Sequence, residues 1–363
     1  MMRKIDLIKS LDRWFGPLLV RLLPKPALPC SERLNWQSVL LIRPGGIGDA
    51  LLLAASVTAL RARFPAVAID ILAEQRNAGA FALMPELREV FAYDRPAGLI
   101  SVLKRRYDVT IDTEQWHRLS AVVCRLVRSD WKIGFASNER ARLFTHPIGY
   151  ALDRYEVESF LDLLAPLEIC DADPSPPNAL DVPEVARQQA AELLRSVEQK
   201  PLLAMFAGAS IPEKRWAVEN FRKVIDWCLA ENLAVTMVGG VNDAVINEEI
   251  AAGRPVLNLA GRTSLVGTAA ILERAGCLVS GDSGVLHLAV GLGRPTVSLF
   301  GPSSTSKWAP RGEQHITLLK ADCSPCSQYG YTPECPHGVR CMSEISVSDV
   351  TAAISRLMNL SDN

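Results

Sequence analysis

The sequence predicts an α/β protein made of two Rossmann-like domains whose parallel sheets face an interdomain cleft. Three observations carry that expectation. The chain has 363 residues, enough for two domains at roughly 150 residues each. Two separate series of short apolar runs alternate with helical stretches, the pattern of βαβ units. Between the series, residues 166–183 hold five of the twenty-three prolines, too many for a helix or a central strand.

In the first series, residues 38–42 (SVLLI) form an apolar run suited to a parallel strand buried on both faces. A glycine turn follows, then a helix over 50–64 that stops at Pro65. Further strands are expected at 67–72, 90–93, 109–111 and 132–135, with helices around 78–84, 99–105 and 119–127. The second series places strands at 202–206, 234–238, 256–259, 277–280 and 296–300, and helices at 216–230, 243–252, 265–275 and 284–291. Five segments result: an N-terminal extension (1–35), a first Rossmann-like domain (36–165), a Pro-rich linker (166–183), a second Rossmann-like domain (184–320), and a Cys-rich segment with a C-terminal helix (321–363). Open parallel sheets bind ligands beyond their carboxyl ends, so the site is expected between the domains.

Hydrophobic residues make up 48% of the chain and charged ones 22%, which argues against wholesale disorder. Thirty-nine basic against forty acidic side chains give a net charge of −1, so no overall field favours a nucleic-acid partner. Asp6, Lys9, Asp12 and Arg13 interrupt the apolar run that a signal peptide or membrane span would need. A cytoplasmic protein is expected. Within residues 1–35 seven basic residues outnumber three acidic ones, and Ile8, Leu11, Phe15, Leu18, Leu19 and Leu22 recur at helical spacing. Such a basic amphipathic helix suits either an anionic membrane surface or docking on its own domain.

Three motifs carry chemistry. The first is the turn Arg43-Pro44-Gly45-Gly46-Ile47-Gly48-Asp49. A dinucleotide fingerprint would need a third glycine where Leu51 stands, and a carboxylate in the first helical turn competes with a phosphate for the same field. Asp49 suits either a helix cap or a general base approached across the open surface of Gly45, Gly46 and Gly48. In the second motif, residues 208–216 (GASIPEKRW), a glycine bend, the Ser210 hydroxyl and the Lys214 ammonium precede a helix, an anion-binding arrangement whose bland alternative is a solvated basic loop. The third, residues 280–287 (SGDSGVLH), offers Asp282 to a sugar or ribose hydroxyl, or to His287, and the amides around Ser283 and Gly284 to a phosphate. His287 alone reads equally as a core histidine.

Together with the flanking LLIRPGGIGDALLLAASVTALRARFP and SGDSGVLHLAVGLGRPTVSLFGP, these motifs resemble glycosyltransferase family 9, the ADP-heptose:lipopolysaccharide heptosyltransferases of GT-B fold. The resemblance spans nearly the whole chain after residue 36. It implies an inverting transfer of heptose from ADP-heptose to a lipopolysaccharide-core hydroxyl without a catalytic cofactor, in the cytoplasm and at the inner membrane's cytoplasmic face. It further implies Asp49 as the base and Lys214 as the group that neutralises the departing diphosphate. Ser210 falls to phosphate binding, and Asp282, Ser283, Gly284 and His287 to the nucleotide and donor sugar. For the ribose, the chain departs from the pattern of some members and leaves Asn242 and Asp243 as alternatives.

Cys323, Cys326, Cys335 and Cys341 crowd into nineteen residues. A CxxC knuckle with two later thiols is expected either to hold a structural zinc or iron or to remain reduced or disulfide-paired. The resemblance adds that many relatives share such a cluster and that a related autotransporter heptosyltransferase group holds iron with cysteines. Two alternative functions remain at this point: a heptosyltransferase with a protein acceptor, and a nicotinamide-dependent oxidoreductase.

Overall fold

A computed structural model describes residues 4–28, 36–175, 179–327 and 331–360, with side chains from Ser10 onward. Parts of the N-terminal extension (1–3 and 29–35, Cys30 included) and of the linker (176–178) lie outside the described residues. The chain divides into two compact units, Met1–Pro176 and Pro177–Asn363.

The first unit is built on β1 (Ser38–Arg43), β2 (Ala68–Ala73), β3 (Leu87–Ala92), β4 (Arg106–Asp112), β5 (Arg128–Phe135) and β6 (His146–Ile148), ordered β3-β2-β1-β4-β5-β6. Every pairing is parallel. Central β1 registers Leu41 against Ile71 on one side and Ile111 on the other. Its residues Val39, Leu40, Leu41 and Ile42 are at most 1% exposed, which is why the strand reads as a continuous apolar run rather than an alternating one.

The second unit repeats the plan with β7 (Leu202–Phe206), β8 (Ala234–Met237), β9 (Leu257–Asn258), β10 (Cys277–Gly281), β11 (Thr296–Leu299) and β12 (His315–Leu318), ordered β12-β11-β10-β7-β8-β9. Counted within each unit, both sheets run third-second-first-fourth-fifth-sixth, the doubly wound order. The strand order therefore reverses between β1 and β4 in one unit and between β7 and β10 in the other. A crevice opens at such a reversal, because the helices that follow the two strands pack on opposite faces.

Several elements differ from the sequence expectation. The helix expected over 50–64 is two, Ile47–Leu52 and Ala54–Arg63, the first of them carrying Asp49 in its first turn as expected. Strands β6 and β12 were not expected. Each is the edge strand that ends its sheet, and β6 contains a proline, tolerated there because one side of the strand needs no ladder bond. The C-terminal segment is no appendage: Cys341, Met342, Ile345, Val350, Ala353 and Ile354 belong to the second unit's core. Its helix Val347–Met358 opens with a capping box between Ser346 and Asp349.

The N-terminal helix Lys4–Leu22 docks on the first unit. Asp12 Oδ1 accepts from the backbone N–H of Arg118 and of Leu119, both at 2.7 Å, and so satisfies donors at the start of the helix Arg118–Leu126. Arg142 donates to the carbonyls of Val20 and Arg21 near the other end.

Candidate active site

Charged clusters occupy both strand-order reversals. In the first unit, Arg43 ends β1 and is 2% exposed. Its guanidinium donates to Thr113 O at 2.7 Å and to Glu114 Oε2 at 3.3 Å, just beyond β4, and to Pro44 O at 2.9 Å. Burial works against this charge, but Asp49, Glu114, Glu156 and Asp112 together outweigh it and raise the Arg43 pKa. Glu114 shows the reciprocal effect. Burial pushes its carboxyl up, and the charges of Arg43, His117 and Arg140 more than reverse that, holding it below the usual range.

Asp49 sits above this buried pair. Its Oδ2 lies 3.8 Å from Arg43 Nη2, and the side chain is 24% exposed. The helix that carries it has Gly46 as N-cap and no side-chain cap bond, so the carboxylate does not serve as the cap. The glycines keep it accessible. Gly45 adopts φ +119°, where a Cβ would be strained and would also lie 2.9 Å from Arg43 Nη2. A Cβ on Gly46 would stand 3.1 Å from Asp49 Oδ2.

In the second unit, Lys214 and Asp282, sixty-eight positions apart, meet. Lys214 Nζ donates to Asp282 Oδ2 at 2.6 Å, with the side chains 17% and 12% exposed. Lys214 lies in the loop after β7, and Asp282 directly follows β10. Trp216 fixes that loop: it is 4% exposed, packs edge-on against Phe221 and donates Nε1–H to Ile345 O at 3.0 Å. Ser303, beyond β11, donates a second 2.6 Å bond to the same Asp282 oxygen. Burial pushes the Asp282 carboxyl up, but the charges of Lys214 and His287 and the bonds from Lys214 and Ser303 hold it below its ordinary value.

The remaining expected residues fall around this cluster. Ser283 is the N-cap of the helix Gly284–Gly291, its hydroxyl accepting from Leu286 N at 3.2 Å and lying 2.9 Å from the Ser280 hydroxyl. His287 is buried one turn in, with its ring 6.4 Å from that of Trp308. Ser210 is exposed. Asn242 is exposed, whereas Asp243 accepts from Gly240 N at 2.8 Å and stands where a Cβ on Gly208 would collide with it. Asp243 is therefore the one set against the Gly208 bend.

Sequence reasoning missed Arg43, Glu114 and Ser303. Arg43 was visible as a charge ending an apolar strand, an anomaly that requires a buried partner. Ser303 carries no such signal.

The four C-terminal cysteines are free thiols. The Cys341 thiol has its pKa raised, chiefly by burial and further by the neighbouring cysteines. Among the described residues, however, no group of three or more His, Cys, Asp or Glu side chains is arranged to hold a metal ion. The segment packs back on the turn after β11: Ser324 Oγ donates to Gly301 O at 2.6 Å, and the amides of Cys326 and Ser327 donate to Pro302 O at 3.0 and 2.9 Å.

The family model for glycosyltransferase family 9 (heptosyltransferase) matches residues 98–336. The chain belongs to that family. It is a glycosyltransferase, and the nicotinamide-dependent alternative finds no support. The lipooligosaccharide heptosyltransferase 2 of Haemophilus ducreyi is 26% identical over 312 residues, 78% of this chain and 89% of its own. Among solved structures, a family 9 glycosyl transferase from Veillonella parvula superposes with a TM-score of 0.76 at 20% identity, covering 91% of this chain and 99% of that one. E. coli heptosyltransferase WaaC with ADP-2-deoxy-2-fluoro heptose gives 0.68 at 18% identity, covering 88% and 99%. These likenesses fix the fold as GT-B. No described helix is long and apolar enough to cross a membrane.

Proposed function

We propose that this heptosyltransferase moves a heptose from ADP-heptose to a hydroxyl of the lipopolysaccharide inner core, with inversion, in the cytoplasm at the inner-membrane surface. The observation that carries the reading is the contrast between an open carboxylate at one strand-order reversal and a cation tied at 2.6 Å to a carboxylate at the other. The relatives' names favour the lipid-linked acceptor over a protein one: the Haemophilus ducreyi enzyme is named for lipooligosaccharide, and the WaaC structure holds an ADP-heptose analogue.

In this mechanism Asp49 accepts the proton of the acceptor hydroxyl as its oxygen attacks the anomeric carbon. The bond from that carbon to the diphosphate breaks on the opposite face, and its electron pair leaves with ADP. Lys214, Ser210 and the amides at Ser283 and Gly284 receive the developing charge. Asp282 holds the Lys214 ammonium in place, and Asp243 lies nearest the ribose. No step calls for a metal or cofactor.

The cysteines take a separate, structural part. Four soft donors crowded into nineteen residues suit zinc or iron, provided the segment draws them together around the ion. Metal analysis of protein purified anaerobically without chelator checks this: about one zinc or iron per chain is expected, and metal-free, fully active protein overturns it.

The deciding experiment incubates purified enzyme with ADP-heptose, ADP-glucose, GDP-mannose and NAD, alongside heptose-deficient lipopolysaccharide core, and follows acceptor mass. Addition of one heptose from ADP-heptose alone is the expected result. Transfer from another donor, or none to the core, overturns the reading.

A further inference from the structure

The N-terminal helix is polarised the wrong way round for a helix that merely covers its own unit. Its inward face carries Asp12, Gly16 and Val20, spaced four apart and all buried. Gly16 permits close approach, since a Cβ there would lie 2.9 Å from Arg118 Cβ. The outward face carries Leu11, Trp14, Phe15, Leu18 and Leu22, exposed by 40, 76, 53, 53 and 70%. At 3.6 residues per turn these five fall within an arc of about 100°. Leu28, 74% exposed, extends the apolar surface beyond the helix end. A helix in water puts its apolar stripe inward. This one puts a carboxylate inward, where it bonds to the helix Arg118–Leu126, and turns a tryptophan and a phenylalanine outward.

The charge around this face has one sign. Arg21, at the edge of the stripe, and Lys25, just beyond the helix, are exposed beside it. Up to residue 28 the sequence holds six basic and two acidic residues, and one of the acids, Asp12, is buried against its own unit. An exposed aromatic–aliphatic stripe edged by cations matches an anionic lipid leaflet: the apolar side chains enter the acyl boundary, tryptophan takes the interfacial depth, and the cations meet lipid phosphates. A protein partner burying the same stripe has no comparable call for the surrounding positive charge.

We propose that Trp14, Phe15, Leu18 and Leu22 form a docking face that lays the N-terminal helix in the plane of an anionic membrane, with Asp12, Gly16 and Val20 clamping the helix to the first unit. The enzyme thereby rides on the leaflet through its acceptor-side unit. That use of the face rests on the proposed lipid-linked acceptor; the docking itself does not.

Flotation of the full chain with vesicles of phosphatidylcholine alone, or with about one-third phosphatidylglycerol, tests the assignment. The chain is expected to float with the anionic vesicles at least about tenfold more than with the neutral ones, and less so in high salt. Substituting W14S, F15S and L18S together is expected to cut anionic binding at least about tenfold, with far-UV circular dichroism unchanged because the buried face is intact. R21E with K25E is expected to lower anionic binding as well while leaving the apolar face in place. Absence of flotation, or flotation unaffected by the serine triple, overturns the proposal. So does a sedimentation-velocity dimer that the same triple dissolves, since the stripe then belongs to a second copy. Heptose transfer to a soluble, delipidated core oligosaccharide is expected to be equal in wild type and triple variant. Its loss from both, with flotation retained, counts against the proposed reaction and leaves the docking face standing.

Discussion

The two units place a carboxylate and a cation at the same topological point and tune them oppositely. In the first, the cation is the buried partner: Arg43 is 2% exposed and Asp49, 3.8 Å away, keeps 24% of its surface open. In the second, the carboxylate is the committed partner, with Asp282 receiving two 2.6 Å bonds on one oxygen. An aspartate in one long ion pair keeps an open edge, whereas one bound on a single oxygen by both an ammonium and a hydroxyl is held fast. The two sites thus differ in how tightly the carboxylate is held.

Exchanging each aspartate for asparagine is the sharpest way to break that contrast. Asp49→Asn is expected to lower kcat by about 10³-fold while ADP binding, followed calorimetrically, stays within about twofold of wild type. The loss should fall on kcat rather than KM. Intact turnover in the purified variant removes Asp49 from the chemistry.

Asp282→Asn is expected to act differently. It leaves the Lys214 ammonium, 17% exposed, without its counter-charge, at a cost of about 1–2 kcal/mol in urea unfolding. Because the lysine loses its tether, the kinetic effect should appear chiefly as a raised donor KM. A pure kcat effect at unchanged stability would make Asp282 a participant rather than a tether.

These differences explain what the sequence disclosed. Strands buried on both faces are legible because burial forces continuous apolar runs, as in residues 38–42 and 202–206. Strands β6 and β12 are not, because an edge strand needs neither apolar continuity nor a full set of N–H groups; His146-Pro147-Ile148 has neither. Lys214 and Asp282 were legible as separate motifs, since glycine turns and charges before helices leave local marks. Their 2.6 Å pairing was not, because it depends on β7 and β10 being neighbours sixty-eight positions apart. The apolar spacing of the N-terminal helix was legible too, but Leu11, Phe15, Leu18 and Leu22 turn away from the unit while Leu19 packs on it, an orientation set by the bonds to Asp12.

The edge strands supply a pH comparison between the units. Each begins with a partly buried histidine whose Nδ1 meets a threonine hydroxyl: His146 with Thr145 at 2.8 Å and His315 with Thr296 at 2.9 Å. Burial lowers both pKa values, that of His315 to about 4 from 6.5. On acidification below pH 6.5 the unfolded chain binds these protons before the folded one, so stability falls as pH drops towards 4 and the contribution of His315 is lost across that window. Glu114 and Asp282, both held below their ordinary values, add a second decline as pH falls through and below the usual carboxylate range. Urea unfolding across pH 4–7 should show the first limb, and His315→Gln should flatten it more than His146→Gln does. Equal flattening would mean that the two edge strands shield their histidines alike.

The smallest expected effect links the cysteine segment to the donor-side cluster. Ser324 Oγ donates to Gly301 O at 2.6 Å and Cys326 N to Pro302 O at 3.0 Å, immediately before Ser303, which bonds Asp282. Ser324→Ala removes one of these supports while the backbone bonds at Pro302 persist, so a net hydrogen-bond contribution of about 1 kcal/mol sets the scale. ADP affinity is expected to weaken by no more than about fivefold, with kcat nearly unchanged because Asp49 lies in the other unit. If ADP binding does not move at all, the turn at Ser303 is held well enough by the Pro302 carbonyl alone. If kcat falls instead, Ser303 does more for the reaction than brace Asp282.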